Sequence, residues 1–185
     1  MNTLVKLSFV GAMALTLTAC IQYRVPVYEA QANTLIELQQ LSASPVALNP
    51  VSYAEGVTEL RHCRTQGRVR TSGGDYAAYV ERALRAELGL AGLLADEADV
   101  QLNATLQRMR FNSWNNSWDM VLDLQSTNGN SVTTHSTFKG NTASLEDDAA
   151  CHLAAQAMPA AVRQLLHDAL TSPEFESLLA ASSAG

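Results

Sequence analysis

The chain has 185 residues, 47% of them hydrophobic and 16% charged, with a formal net charge of −6. This excludes a disordered chain, which would carry less apolar surface and more charge, and the acidity argues against nucleic acid as a partner. The length suits one domain with its own core.

The first residues read as an address. Lys6 is the only charged side chain before Arg24, and the apolar run from Leu7 to Leu17 is too short to span a bilayer, which takes about 20 residues. A basic start, a short apolar run and small residues before a cut describe a secretory signal. The run ends in Leu17-Thr18-Ala19-Cys20, which resembles the bacterial lipobox. That resemblance implies removal of residues 1–19 and a diacylglyceryl group plus an amide-linked acyl chain (palmitate) on Cys20. One acyl chain holds a protein only marginally, whereas two or more anchor it stably. Ile21 follows, where Asp would imply inner-membrane retention, so the resemblance implies the outer membrane, periplasmic face. The covalent lipid is the only non-protein group expected.

Residues 20–44 are expected to be the lipidated N-terminus and a tether. Tyr23, Val25, Val27 and Tyr28 surround Pro26 with no clean period, and Asn33 has the character of an N-cap for a short helix carrying Leu35, Ile36, Leu38 and Leu41. Pro45 ends it. A single periplasmic domain is expected over 45–182, with a loose tail at 183–185. It begins with an extended stretch through Val46, Leu48 and Val51, with Pro50 marking an edge or bulge. A second short strand follows, between Leu60 and Val69, and carries Cys63. Thr71-Ser72-Gly73-Gly74 is a loop.

Asp75 starts the clearest helix. Tyr76, Tyr79, Val80, Ala83, Leu84 and Leu88 fall at i, i+3, i+4 spacing, Glu81–Arg85 is an i,i+4 pair, and Gly89 and Gly92 end it. Val100, Leu102, Ala104 and Leu106 then alternate with polar residues as a half-buried strand. Asn115-Asn116 turns the chain, and Trp118, Met120, Leu122 and Leu124 alternate again. Asn128-Gly129 predicts a type I′ hairpin into a third strand, Val132 to Lys139. A long helix is predicted from about Leu145 to Leu170, with Cys151, Ala154, Met158, Ala161, Val162, Leu165 and Ala169 on one face and a kink at Pro159. Ser172-Pro173 reads as N-cap and first residue of a short terminal helix.

The order is strand, helix, three strands, helix. It predicts an α+β fold, an antiparallel meander with helices packed on one face. This order is similar to that of several small envelope lipoproteins: the YajG-like lipoproteins, the auxiliary lipoproteins of ABC-type lipid transporters and the activator lipoproteins of penicillin-binding proteins. The resemblance covers roughly residues 45–180 as topology. At residue level it rests on the lipobox, the pattern from Tyr79 to Leu94, and Leu165-Leu166 with Ser172-Pro173-Glu174-Phe175. It implies a fold and a compartment and carries over no functional residue. Cys63, Cys151 and the Arg-rich segment have no counterpart in those families.

With Cys20 lipidated, Cys63 and Cys151 remain, and in an oxidising compartment such a pair reads as a disulfide. Closing a loop of about ninety residues contributes about 4 kcal/mol in the chain-entropy model. The rival is a zinc site using His62 and His152, which flank the cysteines. Against it, neighbouring residues on a strand or helix diverge and the spacing lacks a ligand motif, so no metal is expected.

Signs of catalysis are few. His62, His135, His152 and His167 lie in no catalytic motif, and His135 and His167 read as solvated. Glu146-Asp147-Asp148 suits a helix N-terminus, and Asp119 and Asp123 suit a solvated strand face. Four arginines, Arg61, Arg64, Arg68 and Arg70, form a candidate contact for phosphate, anionic lipid or an acidic partner; the plainer reading pairs them with the chain's own carboxylates. Trp114 and Trp118 form a near-repeat in which Trp118 belongs in the core and Trp114 is a candidate binding anchor. Gly73-Gly74 before a helix reads as a plain loop rather than an anion cradle. The expectation is a non-enzymatic binding or accessory module of an envelope assembly. It would be held to the membrane by its lipid and engage an envelope protein, or anionic lipid or lipopolysaccharide. A lipid or lipopolysaccharide carrier and an envelope hydrolase are the alternatives.

Overall fold

A strand that is polar on one side and apolar on the other needs one face covered, and here two helices cover it. A computed structural model describes residues 21–64 and 67–181; the stretch that resembles a lipobox, with Cys20, and residues 182–185 lie outside them. The chain runs β1 (Ile21–Arg24), α1 (Ala32–Leu38), β2 (Ala47–Leu48), β3 (Ser52–Tyr53), β4 (His62–Cys63), β5 (Gly67–Arg70), α2 (Tyr76–Leu90), β6 (Gln101–Asn112), β7 (Ser117–Ser126), β8 (Ser131–Lys139), α3 (Asp147–Leu170) and α4 (Phe175–Leu179).

The fold is α+β, and β6, β7 and β8 form the expected antiparallel meander. The sheet is mixed, because β2 and β3 both lie parallel along the free edge of β6. Pro50 falls between them, where the ladder breaks. Burial alternates along β7, with Trp118, Met120, Leu122 and Leu124 inward. In β6 the alternation slips: Leu106 points inward, Gln107 and Arg108 are both exposed, and Met109 and Phe111 point inward again. A register shift between Leu106 and Arg108 accounts for it, since one extra residue reverses the facing of all that follow.

The helix stripes meet the inner face. Asp75 caps α2, its carboxylate accepting from the Ala78 N–H at 2.8 Å. Arg85 pairs with Glu81 at 3.0 Å, and the two also bond the Leu48 carbonyl and the Val51 N–H, tying the edge strands to the helix. α3 is helical through Pro159 and packs on β7 and β8 with an alanine-rich stripe, which allows close approach to the sheet. The Trp118 indole donates to the Ala154 carbonyl at 3.0 Å.

The segment expected as a tether is instead part of the body. β1 pairs in parallel with β5, Tyr23 and Val25 are buried, and the Tyr79 hydroxyl donates to the Pro26 carbonyl at 3.0 Å. Glu87, buried on α2, accepts from the Tyr28 hydroxyl at 2.5 Å and the Gln31 N–H at 3.0 Å. Side chains satisfy this backbone, so no period marks it. α1 starts at Ala32, one residue before the expected cap, and Gln31 makes no side-chain capping bond.

Two other local expectations fail for identifiable reasons. A type I′ turn needs positive φ at Asn128 and Gly129, but only Gly129 adopts it, at 94°. The Asn128 amide is engaged elsewhere, donating to the carbonyls of Ser177, Leu178 and Ala180 at the end of α4. Ser172 does not cap α4, since its hydroxyl donates back to the Ala169 carbonyl and the helix begins at Phe175.

Candidate functional site

The second sheet, in order β1-β5-β4, brings the early segment to the start of α3. Gly67 sits opposite Ile21 so closely that a Cβ would run into the Ile21 carbonyl oxygen. Cys63, on the inner side of β4, is bonded to Cys151 on α3 with a Cα separation of 5.7 Å, and both are buried. This is the expected disulfide. His62 and His152, the proposed zinc partners, are both exposed. Among the described residues no group of three His, Cys, Asp or Glu is placed to hold a metal.

Arg64 follows with φ of 49°, a left-handed conformation that ends the strand. Consecutive strand residues face opposite ways; the turn at Arg64 instead sends its side chain toward α3 after Cys63. Its side chain is only 3% exposed. Nη1 donates to Asp147 and to the Leu145 carbonyl, each at 2.9 Å. Nη2 donates to the Ser113 and Ser144 carbonyls, at 3.0 and 2.9 Å, and Nε to the Ser113 hydroxyl at 3.3 Å. The guanidinium also lies 3.9 Å from the centroid of the Trp114 ring. Trp114 itself is 64% exposed, so the guanidinium covers one face of the ring and the rest meets solvent. A cleft of about 510 Å³ beside it is lined by His62, Arg64, Phe111, Asn112, Ser113, Trp114 and Asp147.

The Arg-rich segment is not one site. Arg64 has all its donors occupied within the fold, and Arg61 pairs with Glu59. Arg68 and Arg70 are exposed on the outer face of β5, where Arg24 of β1 joins them. Sequence reading missed Arg24, and the alternation Gln22, Tyr23, Arg24 was its signal. Of the two tryptophans, Trp118 lies in the core as expected, buried against Tyr76 and Phe111 with ring centroids 5.6 and 5.1 Å away.

The remaining candidates have structural partners. Asp147 holds Arg64, and Asp148 accepts from the Tyr23 hydroxyl at 3.0 Å; burial, helped by this bond, pushes that phenol up to about 12. Asp119 bonds His135 at 2.8 Å and Arg108 at 3.2 Å on the open sheet face. Asp123 bonds Gln125 and Thr133, and His167 meets the Thr34 hydroxyl. The Gly73-Gly74 loop is closed by Arg82 on the Ser72 and Gly73 carbonyls and by Thr71 on that of Gly74.

No family model and no curated protein matches the chain. Among solved structures, the crystal structure of protein XCC0632 from Xanthomonas campestris, described with the family DUF330, is similar. Its TM-score is 0.50 at 12% identity, over 81% of this chain and 95% of that one. At that identity the likeness is one of fold. Among the described residues no helix is long and apolar enough to cross a membrane.

Proposed function

We propose that the chain is a lipid-anchored periplasmic lipoprotein of the bacterial outer membrane, serving as a binding module of a larger envelope assembly. The lipobox at Leu17-Thr18-Ala19-Cys20 supports the anchor. The observation that carries the binding role is Trp114, 64% exposed yet stacked on an immobilised Arg64. An aromatic held in one position loses little entropy on contact, and such residues dominate protein interfaces. A lipid carrier would need an acyl-chain groove between helices and sheet. Trp118, Met120, Leu122, Met158 and Leu165 fill that space and are fully buried, which favours the binding role.

The test joins anchor and site. Cys20→Ser is expected to take up no labelled palmitate and to stay uncleaved, because the thiol is the only attachment point for the diacylglyceryl group. A photo-crosslinker at Asn115, beside the cleft, is expected to capture one envelope protein in cells. Trp114→Ala is expected to lower that yield by roughly 30-fold, a hot-spot loss of about 2 kcal/mol, while the protein stays folded with a stability loss of about 1 kcal/mol from the missing stack on Arg64. Adducts to lipid or lipopolysaccharide alone would replace this reading with the carrier, and a yield indifferent to Trp114→Ala would remove Trp114 from it.

A further inference from the structure

We infer that the outer face of the small sheet lies on the membrane itself, with Arg24, Arg68 and Arg70 set against anionic phospholipid headgroups. This inference rests on the lipid anchor at Cys20. Three observations on one face lead to it.

The first is alternation. Tyr23, Val69 and Cys63 point inward and are buried, so Gln22 and Arg24 of β1, Arg68 and Arg70 of β5, and His62 of β4 point outward, and all five are exposed. The register sets them side by side: Gln22 opposite Arg68, Arg68 opposite His62, and Arg24 opposite Arg70.

The second is the charge. Like charges directly opposite on neighbouring strands repel, yet Arg24 faces Arg70 with Arg68 two residues along. None of the three forms an ion pair among the described residues, although the chain has 18 acidic residues against 12 basic. Arg61 and Arg64, close by in sequence, both have carboxylate partners. The fold thus leaves three cations uncompensated on one small surface, an arrangement that favours an external anion. A depression of about 220 Å³ lined by Gln22, Arg24, Val25, Arg70, Thr71 and Ser72 offers the two guanidinium groups, donors of the kind that suit a headgroup phosphate.

The third is reach. β1 begins at Ile21, and Gly67 locks that residue against β5. A lipid on Cys20 is therefore one residue from a packed strand, about 3.8 Å between Cα atoms. With no tether between lipid and sheet, Gln22 and Arg68 opposite it stay within about a Debye length of the headgroups, roughly 8 Å at physiological salt, and Arg24 and Arg70, about 13 Å along the strands from Cys20, come within it when this face lies flat on the bilayer. Each basic residue held that near an anionic surface contributes about fivefold to association. Together these make the sheet an orienting surface: acyl chains fix the molecule to the bilayer, and the arginines fix which side faces it.

The experiment uses the lipidated mature protein, with a diazirine side chain at Gln22, in phosphatidylcholine vesicles with or without phosphatidylglycerol. Flotation with the vesicles reads the anchor, and phospholipid adducts at position 22 read the face. With phosphatidylglycerol we expect adducts that fall at least about fivefold in the Arg24→Gln, Arg68→Gln, Arg70→Gln triple variant and in raised salt. The corresponding triple lysine variant, which keeps the charge, is expected to retain them. Protein that floats but gives no phospholipid adduct, or adducts indifferent to all three arginines, would overturn the inference and leave the anchor standing. Protein that takes up no palmitate and does not float would overturn both. Loss of adducts in the lysine variant as well, with its unfolding midpoint unchanged, would overturn the electrostatic basis.

Discussion

Arg64 has a left-handed φ of 49° and a side chain with five hydrogen bonds, three of them to main-chain carbonyls of Ser113, Ser144 and Leu145. Those carbonyls belong to the β6–β7 turn and the approach to α3, so one guanidinium closes two loops around the cleft. Removing it leaves the part-buried Ser113 and Ser144 carbonyls without their donor and the half-buried Asp147 without its cation. Arg64→Ala is expected to destabilise by about 2–4 kcal/mol, mostly through the carbonyls that lose their donor. Arg64→Lys, which keeps the charge but loses the planar fork, is expected to lose about 2–3 kcal/mol. Urea unfolding checks both, through a lower midpoint at unchanged slope; an Arg64→Lys midpoint equal to wild type would show that charge alone suffices. Sequence could not separate Arg64 from Arg61, Arg68 and Arg70. Their different surroundings arise from a single left-handed residue and from loops more than forty positions away, neither of which leaves a local pattern. Trp118 was legible because it continues the parity of Met120 and Leu122, and parity is written in the sequence.

Legibility follows the same rule for whole elements. α2, α3 and the meander repeat at the period of their own backbone, so the sequence shows them. β1, β2, β3 and β4 are two to four residues long, too short to express a period, and the segment from Tyr28 to Gln31 is held by the Glu87 carboxylate. The cysteine pair was legible from the count once Cys20 is set aside, and it joins a two-residue strand to the apolar stripe of α3. Asp147 and Cys151 are one turn apart on α3, so Arg64 and Cys63 clasp successive turns of the same helix. With the cysteines 88 positions apart in sequence, Cys63→Ser and Cys151→Ser are each expected to cost about 2–5 kcal/mol, and the double variant no more than either single. Equilibrium unfolding of the three variants checks this; strictly additive losses would mean that each cysteine acts through packing and not through the shared bond.

Across the whole molecule the five tyrosines report on the integrity of the fold. Tyr23, Tyr28, Tyr53, Tyr76 and Tyr79 are all the chain has, and they lie on β1, the segment after it, β3 and α2. In every one burial is the main influence, and it raises the phenol above the ordinary value of 10.0. Neighbouring carboxylates add to this, Asp148 at Tyr23, Glu87 at Tyr28, and Glu59 at Tyr53 and Tyr76. Arg163 and Arg82 oppose it at Tyr79, which still rises to about 12, as Tyr23 does. A phenol that holds its proton more tightly when folded contributes stability that is fully present below the unfolded value of 10.0 and is lost as the pH climbs toward about 12. Stability is therefore expected to be insensitive to the tyrosines up to pH 10.0 and to fall steeply between there and about 12. In a spectrophotometric titration of the native protein, phenolate absorbance is expected to stay flat through the range where free tyrosine ionises. It should then rise in one cooperative step together with loss of the far-ultraviolet circular dichroism. The same chain in denaturant is expected to titrate gradually around 10.0. A native protein that ionises tyrosines gradually around 10.0 while keeping its dichroism would mean that these rings are not enclosed as the fold places them.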